Sequence, residues 1–180
     1  MLIRATDSAL IVIDVQERLV PVMQAPARTV QNTKLLLHAA RINNVPAILT
    51  EQYPKGLGPT LSEVKKAAGE SIVLSKMHFS CMEDPIFAKE FKSLGRRQAI
   101  LVGMEAHICV VQTAASLFED GYEVFVVSDA TASRTIESEK ACLERLSAAG
   151  VSIVTTEMVV FEWLGKAGTA SFKELLPLIK

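Results

Sequence analysis

The sequence predicts a three-layer α/β/α sandwich, with a six-stranded parallel sheet wound in the Rossmann-like manner and helices on both of its faces. Three observations carry this expectation. Short apolar runs rich in valine and isoleucine recur along the chain, each the length of a buried strand rather than of a helix. Longer segments between them repeat their apolar residues at helical spacing. The two patterns alternate along all 180 residues. Strands joined through helices in this way run parallel and are covered on both sides.

The elements follow in order. Residues 8–15 form the first strand, through Ala9-Leu10-Ile11-Val12-Ile13, and end at Asp14. Residues 29–43 carry Val30, Leu35, Leu36, Leu37, Ala40 and Ile42 as a helix would. Residues 45–50 and 71–75 are the second and third strands. A helix over 85–94 leads into the run Ala99-Ile100-Leu101-Val102, which stops at Gly103. Residues 108–120 then read as a helix, with Val110, Ala114, Leu117 and Phe118 on one stripe. The fifth strand spans 122–128, a helix follows over 138–149, the sixth strand spans 151–155 and a closing helix spans 172–179. Gly56 and Gly58 lie outside any phosphate-binding pattern, so Tyr53-Pro54-Lys55-Gly56 reads as a turn. With no repeat, low-complexity tract or linker, one domain over 1–180 is expected.

Composition narrows the partners. The net charge of −1 supplies no attraction to nucleic acid or to an anionic membrane. No apolar stretch approaches the length of a membrane span. The amino-terminal residues run directly into a strand without a signal-peptide layout. Three widely spaced cysteines, an odd number, suit a reducing compartment. A cytoplasmic protein is expected, with an organelle matrix still open. Phe161, Trp163, Leu164, Phe172, Leu175 and Leu176 load the carboxyl-terminal segment with large apolar groups. They either cover the sheet of their own subunit or form an interface.

Parallel sheets of this kind bind ligands beyond the carboxyl ends of their strands, where the strand order reverses. Asp14 and Lys76 end the first and third strands, and Cys109 follows the fourth. A carboxylate near a thiol can take its proton and return it to a leaving group, and an ammonium balances either charge state. At the first turn of a helix, free amides and the helix dipole favour a thiolate. Each residue also has a plain reading: a buried inert thiol, an aspartate capping a turn, a solvated lysine. If the first and fourth strands are neighbours, the third lies two steps from the first, roughly 10 Å away. An extended lysine side chain spans most of that gap.

Ile13-Asp14-Val15-Gln16, Ser75-Lys76 and Gly103-Met104-Glu105-Ala106-His107-Ile108-Cys109-Val110 resemble the three signature segments of the isochorismatase-like cysteine hydrolase superfamily. The resemblance extends through Glu51-Gln52-Tyr53-Pro54-Lys55-Gly56-Leu57-Gly58 and Val127-Ser128-Asp129-Ala130, over nearly the whole chain. It is closest to small isochorismatase-domain proteins of uncertain substrate. It implies an Asp14–Lys76–Cys109 triad, a cis peptide between Met104 and Glu105, and an oxyanion held by the amides of Glu105 and Cys109. It also implies a homo-oligomer.

Members that cleave the isochorismate vinyl ether usually lack the cysteine. Cys109 therefore favours hydrolysis of a small amide-like C–N substrate through a thioester. A vinyl-ether hydrolase, a binding or scaffold protein on the same fold, and a thiol-redox protein pairing Cys109 with Cys81 remain as alternatives. Gln16, Gln52, Tyr53, Phe79 and His107 are candidate substrate contacts. His38, His78 and His107 are isolated from one another in sequence. Without a metal-ligand spacing, no metal or other cofactor is expected. Cys142 reads as a core residue of its helix.

Overall fold

A computed structural model describes residues 2–179; the first and last positions of the expected 1–180 domain lie outside the described residues. Six strands form one parallel sheet: β1 (Ser8–Ile13), β2 (Ala47–Gln52), β3 (Ile72–Lys76), β4 (Gln98–Met104), β5 (Glu123–Ala132) and β6 (Ser152–Val154). Their order is β3-β2-β1-β4-β5-β6. The chain thus builds outward from β1 in one direction, returns, and builds outward from β4 in the other. The resulting switch point lies between β1 and β4.

Every residue of β1 is buried, because this central strand has helices on both faces. Leu10 and Val12 face a core shared with α1 (Pro26–Ile42), α3 (Ser62–Ala68), α7 (Thr156–Leu164) and α8 (Ala170–Ile179). Ala9, Ile11 and Ile13 face the opposite core, filled by α4 (Pro85–Ser93), α5 (Val111–Glu119) and α6 (Ile136–Ala148). This alternation is the period of two of a pleated strand, and each fully buried Leu or Ile contributes about 1.5–3 kcal/mol. A four-residue helix, α2 (Pro54–Leu57), replaces the expected turn after β2. Helix starts are chemically marked. Asp84 accepts from the amides of Ile86 and Phe87, while Thr135 and Thr155 cap α6 and α7.

Several boundaries differ from the sequence reading. The helix α3 escapes detection because it is only seven residues long. The helix α7 has no clean stripe in its sequence, since it is hydrophobic nearly all round. The expected continuous helix over 108–120 instead begins with a π-helical turn at Ala106–Val110. The strand β5 runs four residues past its expected end by slipping register. Leu101 pairs with Val126 but Gly103 with Thr131, so two steps along β4 are matched by five along β5. Trp163 and Leu175 pack into their own subunit's core, with the Trp163 indole donating to Ser8 Oγ at 3.1 Å, whereas Phe161 is exposed.

Gly103 sets how closely β1 and β4 approach at the switch point. Its φ is +118°, and a Cβ placed there would lie 2.0 Å from the Ile13 carbonyl oxygen. Gly103→Ala is expected to lower the unfolding free energy by at least about 2 kcal/mol, measured by urea titration. Unchanged stability would show that the β1–β4 contact yields easily.

Candidate active site

The three strand-end residues converge. Asp14 follows β1 at φ +53°, a left-handed conformation that turns its side chain back over the sheet. That turn is held by the Gln16 amide, which donates to the Asp14 carbonyl at 2.8 Å. Parallel register pairs Ile13 with Thr50, bringing the Thr50 hydroxyl to Asp14 Oδ1 at 2.7 Å. Lys76, the last residue of β3, reaches past β2 to place Nζ 2.8 Å from Asp14 Oδ2. The two-strand separation is as the sheet order requires, and the extended side chain closes it. Asp14 is 0% exposed, Lys76 2% and Cys109 5%.

A buried charge pair persists only when its remaining hydrogen-bonding capacity is used. Lys76 Nζ also donates to Gln52 Oε1 at 2.6 Å and to the His78 and Phe79 carbonyls at 3.3 and 3.4 Å. Gln52 presents that oxygen because its amide nitrogen donates to the Met77 carbonyl at 2.8 Å. Gln16 holds Gln52 in turn, accepting from its backbone amide at 2.8 Å and donating to its carbonyl at 3.0 Å. The Gln16 side chain donates further to the Gly58 carbonyl at 2.7 Å.

This bonding gives Gln16 and Gln52, expected as candidate substrate contacts, a role in holding the ion pair. Gln16 is fully buried with its amide committed on both sides, and Gln52 is committed to Lys76 and Met77. Both brace the ion pair. Tyr53 and Phe79, by contrast, stand at the rim, 48% and 52% exposed. Tyr53 is held at φ +37°, with its ring against Gly56 and its amide donating to the Lys76 carbonyl at 3.0 Å. His107 is half-buried, with Nδ1 2.9 Å from Ser133 Oγ. His78 is exposed, and His38 belongs to a surface cluster with Arg41 and Glu174. Among the described residues, no three His, Cys, Asp or Glu side chains are grouped to hold a metal ion.

Cys109 lies in the π-helical turn between β4 and α5. The Met104–Glu105 peptide is cis. The amides of Ile108, Cys109 and Val110 all point at the Glu105 carbonyl, at 3.1, 3.1 and 3.2 Å. One carbonyl oxygen has two lone pairs, so three donors share it and none is fully engaged. Among the described residues, the Glu105, Ala106 and His107 amides donate to no protein acceptor.

The electrostatics reverse the expectation of a resting thiolate. Burial pushes the Cys109 thiol well above its ordinary value of 9.0, and the neighbouring Asp14 carboxylate pushes it further, with Lys76 opposing. Desolvation and a nearby negative charge both favour the neutral thiol. Burial alone would lower the Lys76 pKa. The Asp14 charge, with the Cys81 and Cys109 sulfurs, outweighs it and keeps the ammonium above its ordinary range. Cys81 is a second buried thiol of this network, 4.0 Å from Thr50 Oγ1 and pushed up to about 12 chiefly by burial. Cys142 is buried in α6, as expected, with its sulfur 3.0 Å from the Ala106 carbonyl. Thr50 escaped the sequence reading as a member of this cluster, because only strand register brings it to Asp14; Cys81 entered that reading only as the partner of Cys109 in the redox alternative.

Removing one partner of the buried pair leaves the other charge uncompensated. Lys76→Met is expected to cost about 3 kcal/mol of stability, measured by urea unfolding; a change below about 1 kcal/mol, the value of an exposed pair, would contradict burial as the source of the coupling. A raised thiol pKa means that the neutral thiol dominates at neutral pH. Iodoacetamide labelling of Cys109 is therefore expected to accelerate continuously up to about pH 9, the ordinary thiol range. A rate plateau below pH 8 would show a resting thiolate instead.

The profile described as "Isochorismatase domain" matches residues 8–158. Isochorismatase domain-containing protein 2 of Danio rerio is 40% identical over 173 residues, covering 96% of this chain and 86% of that protein. Isochorismatase domain-containing protein 1 of the same organism is 36% identical over 167 residues, covering 93% of this chain; the chain spans 59% of that relative's length. Two solved structures superpose with TM-scores of 0.93. One is described as the MAR1 ribonuclease of Caenorhabditis elegans, 36% identical, covering 99% of this chain and 92% of that one. The other is the Escherichia coli YcaC gene product, described as an octameric hydrolase of unknown specificity, 26% identical, covering 99% and 90%. The strand order, the signature segments and these matches agree: the chain belongs to the isochorismatase family and has its hydrolase fold.

Proposed function

We propose that the chain is a single-domain, cysteine-dependent hydrolase that cleaves a C–N bond in a small amide-like substrate through a thioester. The observation that carries this reading is the buried Asp14–Lys76 pair, 2.8 Å between Nζ and Oδ2, beside the Cys109 thiol. A thiol kept neutral at rest becomes a nucleophile only if a base takes its proton during attack. Asp14 is the acceptor, and Lys76 keeps the set electrically balanced.

Asp14 takes the Cys109 proton as the sulfur attacks the substrate carbonyl carbon, and the carbonyl π electrons move onto oxygen. The Glu105 and Cys109 amides hold that oxyanion, each donor contributing roughly 3 kcal/mol as at other such sites. The Glu105 amide has no competing protein acceptor among the described residues, and the Cys109 amide shares its own. When the tetrahedral centre collapses, the C–N bond breaks and the amine leaves with the proton from Asp14. Water then attacks the thioester carbonyl, giving one proton to Asp14. The carbon–sulfur bond breaks, the Asp14 proton returns to sulfur, and the product leaves as the carboxylic acid, which gives up its proton in solvent.

Enclosure of Asp14 and Lys76 leaves Cys109 as the member a substrate reaches first, which favours a small acyl group. Tyr53, Phe79 and His107 form the rim such a molecule passes. A homo-oligomer is part of this proposal. It is supported by exposed apolar groups beside the site, among them Met77 at 66%, and by the octameric state attributed to the E. coli relative.

The test is acyl transfer to the sulfur. Brief exposure to p-nitrophenyl acetate, followed by intact-mass and peptide analysis, is expected to place one acetyl group on Cys109. Screening small primary amides for ammonia release then reads turnover. Cys109→Ala is expected to abolish both while leaving the circular-dichroism spectrum unchanged. Undiminished turnover in that variant would end the covalent mechanism.

A further inference from the structure

We propose that Arg134, acting with Ser133, is a positioning residue for the amide donors beside Cys109. This rests on the reading of Cys109 as an acyl-accepting nucleophile. The register slip between β4 and β5 brings Ala132 opposite Met104, so the two residues that follow β5 run alongside the turn containing Glu105 and His107. Each grips one of them. Arg134 Nε donates to Glu105 Oε1 at 2.6 Å, and Ser133 Oγ lies 2.9 Å from His107 Nδ1.

The grip is braced from behind. The Gln24 backbone amide donates to the Ser133 carbonyl at 2.8 Å, and its side chain donates to the Arg134 carbonyl at 3.1 Å. The Ser133 amide donates to Glu139 Oε2 at 3.3 Å, and Glu139 also pairs with Arg28 at 3.4 Å. The dipeptide is therefore fixed to the segment before α1 and to α6 while it holds the turn.

An exposed ion pair ordinarily contributes little to stability. Its consequence here is geometric. The Glu105, Ala106 and His107 amides have no protein acceptor among the described residues that would fix their direction, and an oxyanion donor must point at the developing charge to within a few tenths of an ångström. Holding the Glu105 and His107 side chains sets the orientation of the backbone between them. Arg134 also neutralises the one carboxylate carried by this turn, which would otherwise oppose a negative charge forming beside it.

Two reactions of the same sulfur separate positioning from general structure. Acylation by p-nitrophenyl acetate passes through an oxyanion, whereas alkylation by iodoacetamide is a direct displacement at saturated carbon and forms none. In the full chain, Arg134→Ala is expected to lower the ratio of Cys109 acylation to alkylation rates by about tenfold. Arg134→Lys is expected to restore part of the loss, since it keeps the charge but lacks the planar donor geometry. An unchanged ratio in Arg134→Ala, with wild-type protein acylated normally, would overturn the positioning role and leave the hydrolase reading intact. Equal loss of both rates would also overturn it, as a structural effect. Wild-type protein that is alkylated but never acylated would overturn the nucleophile reading, and the inference with it.

Discussion

The Lys76–Asp14 ion pair sits where two strands that are not neighbours must be joined by one side chain passing over a third. Removing both charges from water is expensive, and their mutual attraction offsets that expense only when the geometry is nearly ideal. Much of the local architecture follows. Thr50 takes one oxygen of the carboxylate and Lys76 the other, while Gln52 and two backbone carbonyls take the remaining ammonium donors. The orientation of Gln52 depends on the Met77 carbonyl, and its backbone depends on Gln16. A chain of committed amides thus runs from the loop after α2 down to the ion pair.

That chain also governs the chemistry proposed for the site. Lysine, aspartate and thiol together carry no net charge, whether the proton rests on sulfur or on Asp14. Transfer between them creates no new isolated charge in a region sealed from water. A thiolate beside an ionised Asp14 would break this balance, and burial and the Asp14 charge together hold the Cys109 proton in place. Cys81 occupies the same surroundings and is likewise held neutral. Its thiol contacts Thr50 rather than the turn of free amides.

The approach of β1 to β4 and the slip between β4 and β5 are the two backbone conditions that shape the mouth of the site. Gly103 permits the first by presenting no Cβ to the Ile13 carbonyl. The second inserts residues into β5 that leave the ladder, and Asp129 among them anchors the start of α7 by accepting from the Thr156 amide and hydroxyl, both at 2.8 Å. One irregularity therefore ties the far helical layer to the turn that carries Cys109.

The sequence by itself determined the fold class, the six strands and the three strand-end residues now seen in one cluster, because each rests on local information. A run such as Ala9-Leu10-Ile11-Val12-Ile13 declares a buried strand by its own composition, and Asp14 declares its end. Family resemblance added the turn at Glu105. Partners and protonation states were decided by the tertiary structure. Whether Gln52 meets a substrate or a lysine depends on its register with Lys76, and whether Arg134 meets Glu105 depends on a slip between two strands. The Cys109 proton depends on desolvation by residues distant in sequence and on a carboxylate from another strand. Hydrogen-bond partners and electric fields are properties of three-dimensional neighbours, and the order of residues along the chain carries no local sign of them.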